Sequence, residues 1–293
     1  MSVSVHQNLS ERLLQSSELR NALRMYGIAE RRRTKLADSP AIYEIGKLFI
    51  VLLSPLSFPN VAADEARAIK SVRQLLPSHL SVFTSEVVAE GRLDDGRSFV
   101  VMPRGSPLSD KRLVFELQRH RIKPIVLEWL RGLVREAEAP TEATTAEFQS
   151  SLESLARLND IPTEISNAAR DGLVRLSRGD FIPRHCPMHG DLWRGNIIYG
   201  RDKSLKVIDW RGSRMDGYGF FDLVKFGHSF KIKTEELRGE VVIHARSLGI
   251  EAIDARTTLL ASCGFISRNR GEFPLDNFLS MTNSLCNFLQ SSL

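Results

Sequence analysis

The sequence predicts an α+β protein whose strands are gathered early and whose helices follow. Three observations carry this. Short β-type runs with one helix among them occupy residues 41 to 102, helical spacing of apolar residues dominates 106 to 180, and a hairpin pattern at 196 to 210 is followed by further helical spacing from Glu235 to Leu293. A chain of 293 residues is long enough for two core-bearing units.

In order along the chain, Asn8 to Met25 reads as an amphipathic helix, with Leu13, Leu14, Leu19, Leu23 and Met25 recurring at roughly helical spacing, Ser10 as a cap and Gly27 as a stop. Ile28 to Leu36 is a candidate strand, and Ala37-Asp38-Ser39-Pro40 is a turn. Ala41 to Gly46 and Lys47 to Leu53 form a strand pair, and Val61 to Leu76 a helix with Asp64 and Glu65 in its first turn, where the dipole favours negative charge. Val82 to Arg92 and Arg97 to Met102 are β-rich runs around Asp94-Asp95-Gly96, a hairpin signal. Two helices, Asp110 to His120 and Ile125 to Ala137, are followed by a break at Ala139-Pro140-Thr141 and helices over Thr145 to Leu158 and Ile165 to Leu176; Trp129 is a core residue. Within the tail, Leu285, Phe288 and Leu289 continue the helical pattern.

Composition narrows the class. At 42% apolar and 26% charged the chain is globular rather than disordered. Cys186, Cys263 and Cys286 are few, odd in number and without metal spacing, which points to a reducing cytoplasm. The N-terminus lacks the features of a signal peptide, and the most apolar stretch, Leu48 to Leu56, contains Pro55 and is too short to span a bilayer. A cytoplasmic protein with no membrane contact is expected. The net charge of +5 suits anionic ligands such as nucleotides. The only dense basic run is Arg31-Arg32-Arg33-Thr34-Lys35, read as a solvated face; a basic nucleic-acid-binding module is the alternative it suggests, and no nucleic-acid partner is expected.

The stretch richest in chemistry is Met188 to Leu223. Asn196 to Tyr199 and Leu205 to Trp210 are apolar β-type runs around the turn Gly200 to Ser204. Asp191 and Asn196 stand before the first run, and Asp209 at the end of the second, so the hairpin brings three oxygen-bearing side chains to one end of a ribbon. Mg²⁺ prefers hard oxygen ligands, one or two of them carboxylates, with phosphate and water completing its shell. Asn196 and Asp209 suit that role, and Asp191 is left to orient a hydroxyl and accept its proton. Kinases divide labour in this way, with an Asn five residues after the catalytic Asp and a later Asp on the metal.

His189-Gly190-Asp191-Leu192-Trp193-Arg194-Gly195-Asn196, then Val207-Ile208-Asp209-Trp210, then Gly217 with Asp222-Leu223, resembles the aminoglycoside phosphotransferase/choline kinase family in all three parts of its pattern. The resemblance implies a two-lobed protein-kinase-like fold: a small antiparallel-sheet N-terminal lobe, 1–103, and a mostly helical C-terminal lobe, 104–293, that carries the catalytic loop, metal site and acceptor pocket. It implies ATP, Mg²⁺ and a small hydroxylated substrate, with a sugar or aminoglycoside-like acceptor first and an amino alcohol second. It places Ala37 to Pro40 where a loop covers the phosphates; that loop has no glycine, and Ser39 is left to offer a hydroxyl. It places Met102-Pro103-Arg104-Gly105 at the hinge that meets adenine. Glu65 matches the helix glutamate, with capping as its other reading. The basic residue expected within Val51-Leu52-Leu53-Ser54 is missing, which raises the alternative of a nucleotide-binding pseudokinase. Lys47, at the start of its strand, is the nearest substitute, with Arg33 and Lys35 as others; an exposed strand end is its plainer reading. His189 and Asp222 brace the loop, Asp222 also fitting a helix N-cap. Trp193 either walls the substrate site or packs under the loop, and Arg194 either steadies transferring charge or forms a surface salt bridge. His185 and Cys186 are adjacent and lack an orienting third group, so no nucleophile pair is assigned.

Overall fold

The computed structural model describes residues 40–268 together with 279, 280 and 283. The helix expected over Asn8 to Met25, the strand over Ile28 to Leu36, Ser39 and the last helical turns lie outside the described residues. The chain divides into two compact units, one of residues up to Ser109 plus Gly195–Arg211, the other of Asp110–Arg194 and residues from Gly212 on. The expected boundary near residue 103 and the packing of 195–211 with the sheet-bearing unit thus partition the chain differently.

The first unit is built on a four-stranded antiparallel sheet. Its strands are β1 (Ala41–Ile45), β2 (Phe49–Leu53), β3 (Ala89–Arg92) and β4 (Ser98–Pro103), in the order β1-β2-β4-β3. Alternation along β2 sends Val51 and Leu53 into a core with Ile45, Ala89, Phe99 and Val101, and leaves Ile50 and Leu52 on the other face. Lys47 falls in the exposed turn before β2, not on the strand. The helix α1 (Val61–Leu75) follows, burying Val61, Ala62, Glu65, Ala66, Ile69 and Val72 at helical spacing. Two of its orphan first-turn donors are satisfied from the strands: Ala62 N–H donates to Ser54 Oγ (2.9 Å) and Ala63 N–H to Ser98 Oγ (3.0 Å). These serines fix where the helix starts, and so where Glu65 points.

The run Val82 to Arg92 is not one strand. A short helix α2 (Ser78–Ser81) precedes it, and only β3 at its end joins the sheet. The intervening segment docks on the hairpin instead: Val207 N–H donates to Phe83 O (2.6 Å) and Lys206 Nζ to Val82 O (2.7 Å). That hairpin is β7 (Ile197–Tyr199) and β8 (Leu205–Val207), with β5 (Ser106–Pro107) alongside β7. Its second strand ends at Val207, three residues short of the expected Trp210, because Trp210 enters a 3₁₀ turn, Trp210–Gly212, and its indole N–H bonds Val207 O at 2.8 Å.

The second unit is mostly helical: α3 (Arg112–Arg135), α4 (Glu142–Ala156), α5 (Thr163–Arg178), α6 (Phe221–Ser229), α7 (Thr234–Leu248) and α8 (Ala252–Arg268), with one strand pair, β6 (His185–Met188) and β9 (Arg214–Tyr218). Where two helices were expected before residue 137, one runs through Pro124. An interior proline costs about 3 kcal/mol. Ile122, Val126, Leu127, Trp129, Leu130 and Leu133 are all buried on this helix, and at about 1.5–3 kcal/mol per buried side chain they outweigh it. The break at Ala139 to Thr141 is a start signal: Thr141 and Thr144 form a capping box for α4. Phe148, Phe181, His185 and Tyr218 pack as an aromatic cluster, and Tyr218 Oη bonds Ser151 Oγ at 2.8 Å. This cluster anchors β6, whose end at Met188 opens the loop of interest.

Candidate functional site

In the second unit, the loop after β6 is held from below by α6. Asp222 is buried, and its carboxylate accepts the N–H of His189 (2.5 Å) and of Gly190 (3.0 Å). It is the second residue of α6 and caps no helix, so the cap reading is corrected and the loop-bracing contact is what the carboxylate makes. Burial raises its carboxyl above the usual range, with His189 and Lys225 working in the other direction. His189 is fully buried, and its Nδ1 takes the Asp191 N–H at 3.2 Å. Gly190 sits at φ +83°, and a Cβ there would lie 2.4 Å from Gly212 O, so only glycine fits on both counts. Trp193 is 45% exposed and does not pack under the loop.

Lys225 completes this arrangement. It lies one turn after Asp222 on α6, and its ammonium pairs with the Asp191 carboxylate. One turn further, Ser229 Oγ accepts the Arg194 N–H at 3.1 Å. Positions 222, 225 and 229 are one face of a helix, each serving the loop differently. The Arg194 guanidinium pairs with Asp110 (2.8 Å) over the Phe115 ring, the salt-bridge alternative.

In the first unit, Asn196 ends the 3₁₀ turn Arg194–Asn196 and is buried. Ile208 N–H donates to Asn196 O (3.0 Å), closing the hairpin and setting Asn196 beside the residues after β8. Asp209 follows with φ +65°, a left-handed conformation that costs a non-glycine residue about 1 kcal/mol. Its N–H donates to Glu65 Oε1 at 3.1 Å, and its carboxylate meets Arg211 Nε at 3.2 Å. Glu65 is 2% exposed, and its Oε2 has no partner. Burial, and then the Asp209 charge, push the Glu65 carboxyl up to about 7. All four side chains line a cavity of about 290 Å³ whose other walls are apolar, with Ile50, Leu52, Met102, Ile198 and Ile208 among them. An apolar-walled cavity with a few charged and polar groups is the usual make-up of a small-molecule site.

The site residues expected from sequence are therefore distributed as follows. Glu65, Met102, Asn196 and Asp209 line the cavity of the first unit. Asp191 belongs to the second unit, on the loop that α6 holds. Arg104 pairs with Glu44 at 2.7 Å and, like the exposed Lys47, is not among the cavity-lining residues. Ser39 is outside the described residues. No basic side chain projects from β2 into the cavity, where Ile50 and Leu52 stand. Two residues escaped sequence reading. Arg211 supplies a cation at the cavity, and Lys225 one beside Asp191. The spacing Asp222, Lys225, Ser229 was the available signal for the second.

Oxygen donors on one cavity fit a hard cation, and the partnerless Glu65 Oε2 is a buried acceptor that a hydrated ion or its water satisfies. Among the described residues no group of three or more His, Cys, Asp and Glu is placed to hold a metal by itself.

No protein-family model matches the sequence, and neither does any curated protein. Solved structures do match. A choline kinase, LicA from Streptococcus pneumoniae, superposes with a TM-score of 0.51 at 15% identity, over 92% of this chain and 99% of the other. A thermostable mutant of the aminoglycoside phosphotransferase APH(4)-Ia, in ternary complex with ADP and hygromycin B, gives 0.55 at 11% identity, over 92% and 98%. Wild-type aminoglycoside 2'-phosphotransferase-IIIa with GDP gives 0.52 at 15% identity, over 92% and 99%. The chain has a protein-kinase-like fold. Within that kinase-like fold the sheet of β1–β4 with α1 corresponds to the expected small antiparallel part and the helices of the second unit to the larger one.

Proposed function

We propose that this protein is an ATP-dependent small-molecule kinase that transfers the γ-phosphoryl group to a hydroxyl of a sugar, aminoglycoside-like or amino-alcohol acceptor. The observation that carries the reading is the meeting of Asn196, Asp209 and Glu65 on one apolar-walled cavity of a kinase-like fold. The acceptor hydroxyl gives its proton to Asp191, its oxygen bonds to the γ-phosphorus, and the bond to the β-phosphate oxygen breaks to release ADP. Asn196 and Asp209 would hold Mg²⁺, which when bound would offset the charge of the phosphates. Glu65 fixes the backbone at Asp209 by accepting its N–H. Arg211, which lines the same cavity, would take the place of the missing strand cation by offering its guanidinium to the phosphates. Met102 contributes to the base slot.

One observation favours a second reading, a nucleotide-binding pseudokinase: β2 presents Ile50 and Leu52 where a basic side chain was expected. Incubation with γ-labelled ATP, Mg²⁺ and a panel of hydroxylated metabolites separates the two. A phosphorylated product that disappears on chelation of Mg²⁺ is the expected result. A thermal shift with Mg-ATP and no product across the panel favours the pseudokinase, and no shift with any nucleotide removes both.

A further inference from the structure

The pairing of Lys225 with Asp191 has a consequence for the acceptor, and it rests on the kinase reading above. An acceptor hydroxyl must come within hydrogen-bond reach of the Asp191 carboxylate, about 2.6–3.2 Å. The Lys225 ammonium already bonds that carboxylate. Substituents beside the reacting hydroxyl then lie within roughly 4–6 Å of a positive charge, a separation at which charges in a protein still interact strongly.

A lone carboxylate at this position attracts cationic acceptors. Paired with an ammonium, it is electrically neutral as a unit, and the exposed polarity on the lysine side is that of a donor. The Asp191 side chain is 39% exposed and that of Lys225 18%, so the pair is open to a ligand while the lysine is too enclosed to swing freely into solvent. Its ammonium lies over the Phe221 ring, with Nζ 5.7 Å from the ring centre. The lysine is also fixed by register, since Asp222 on the same helix face is locked to the loop by two backbone hydrogen bonds.

We propose that Lys225 is a specificity-determining residue that selects acceptors bearing oxygen, neutral or anionic, beside the reacting hydroxyl, and rejects those carrying an ammonium there. Within the acceptor classes above, this singles out sugars, free or phosphorylated, over aminoglycosides and amino alcohols. Lys225 donates to the neighbouring acceptor oxygen while its other protons hold Asp191.

The test uses the full chain and its K225M and K225R variants, loaded with Mg²⁺ and a non-hydrolysable ATP analogue. Binding of a hexose, a hexose phosphate, choline and an aminoglycoside is measured by calorimetry. The wild type is expected to favour one of the first two over both cations by at least tenfold. K225M should shift that ratio toward the cations by roughly tenfold or more, while K225R retains it. Equal or tighter binding of the cations by the wild type overturns the proposal. So does a K225M ratio equal to that of the wild type, or a K225M effect confined to the nucleotide. Turnover with Mg-ATP is followed on the same panel: acceptors that bind with the stated preference and yield no phosphorylated product count against the kinase reading and leave the recognition by Lys225 standing.

Discussion

Asp191, Asp209 and Arg211 each make a different demand on the chemistry, and substitution separates them. Asp191→Asn keeps the shape and the His189 contact but cannot accept a proton, so kcat should fall by roughly 10²–10⁴ with nucleotide binding intact. Steady-state kinetics together with a nucleotide thermal shift reads both; unchanged kcat removes Asp191 from the mechanism. Asp209 combines a carboxylate with a left-handed backbone. Asp209→Ala should lose Mg²⁺-dependent nucleotide binding and also fold less stably, because alanine tolerates that conformation worse than aspartate. Asp209→Asn should recover the stability but not the metal dependence, since asparagine suits the left-handed region. Tight, metal-dependent ATP binding by either variant refutes the assignment. Arg211→Ala should raise KM for ATP about tenfold or more, the scale of a lost charge-assisted hydrogen bond, whereas Lys47→Ala in the hairpin turn should leave KM alone. The reverse pattern would return the phosphate role to Lys47.

Helix α6 is the element on which the loop depends. Asp222 accepts from two backbone donors at once, the buried His189 N–H and the partly buried Gly190 N–H, and removing it takes this acceptor from both. Asp222→Ala is therefore expected to destabilise the fold by about 1–3 kcal/mol for the buried donor, with a smaller loss for the partly buried one. Urea melts give this directly, and a wild-type midpoint alongside reduced activity would show the contact to be dispensable for folding. The loop's spacing of Asp191 and Asn196 was readable because both lie on one short segment. The contribution of α6 was only partly readable: Asp222 stood out through its resemblance, whereas Lys225 looked like an ordinary helical lysine. Its meaning comes from a partner 34 residues away and from the register of α6 under the loop.

At the scale of the molecule, buried titratable groups set the pH range of the fold. His244 is fully buried on α7, with Nδ1 bonded to Glu240 O at 2.8 Å and Nε2 without a partner. Burial pulls its pKa down to about 4 from 6.5. The folded state keeps the ring neutral while the unfolded chain protonates it below 6.5, so the unfolded state binds more protons and stability falls as pH drops. The loss begins near pH 6.5, is complete just below the folded value, and amounts to about 3 kcal/mol. Comparing unfolding free energies of the wild type and His244→Gln at pH 7.5 and near pH 4 isolates this group from the others. Parallel loss in the two proteins would show that His244 does not contribute.

The sequence by itself determined the α+β class, the strand pair before α1, the β3–β4 hairpin and the order Asp191, Asn196, Asp209, because each is written in local spacing and turn chemistry. Where local rules failed, long-range packing had overruled them. Two helices were expected on either side of Pro124, yet the buried face of α3 carries one helix through it. Val82 and Phe83 lie in a run of β-type composition, yet their carbonyls accept hydrogen bonds from a hairpin more than a hundred residues later. Only the folded chain brings Glu65 to the Asp209 backbone across 144 residues, sets Arg211 on the cavity wall and pairs Lys225 with Asp191. A charged side chain's partner is set by where folding places other elements, and no period or motif along the chain encodes that distance.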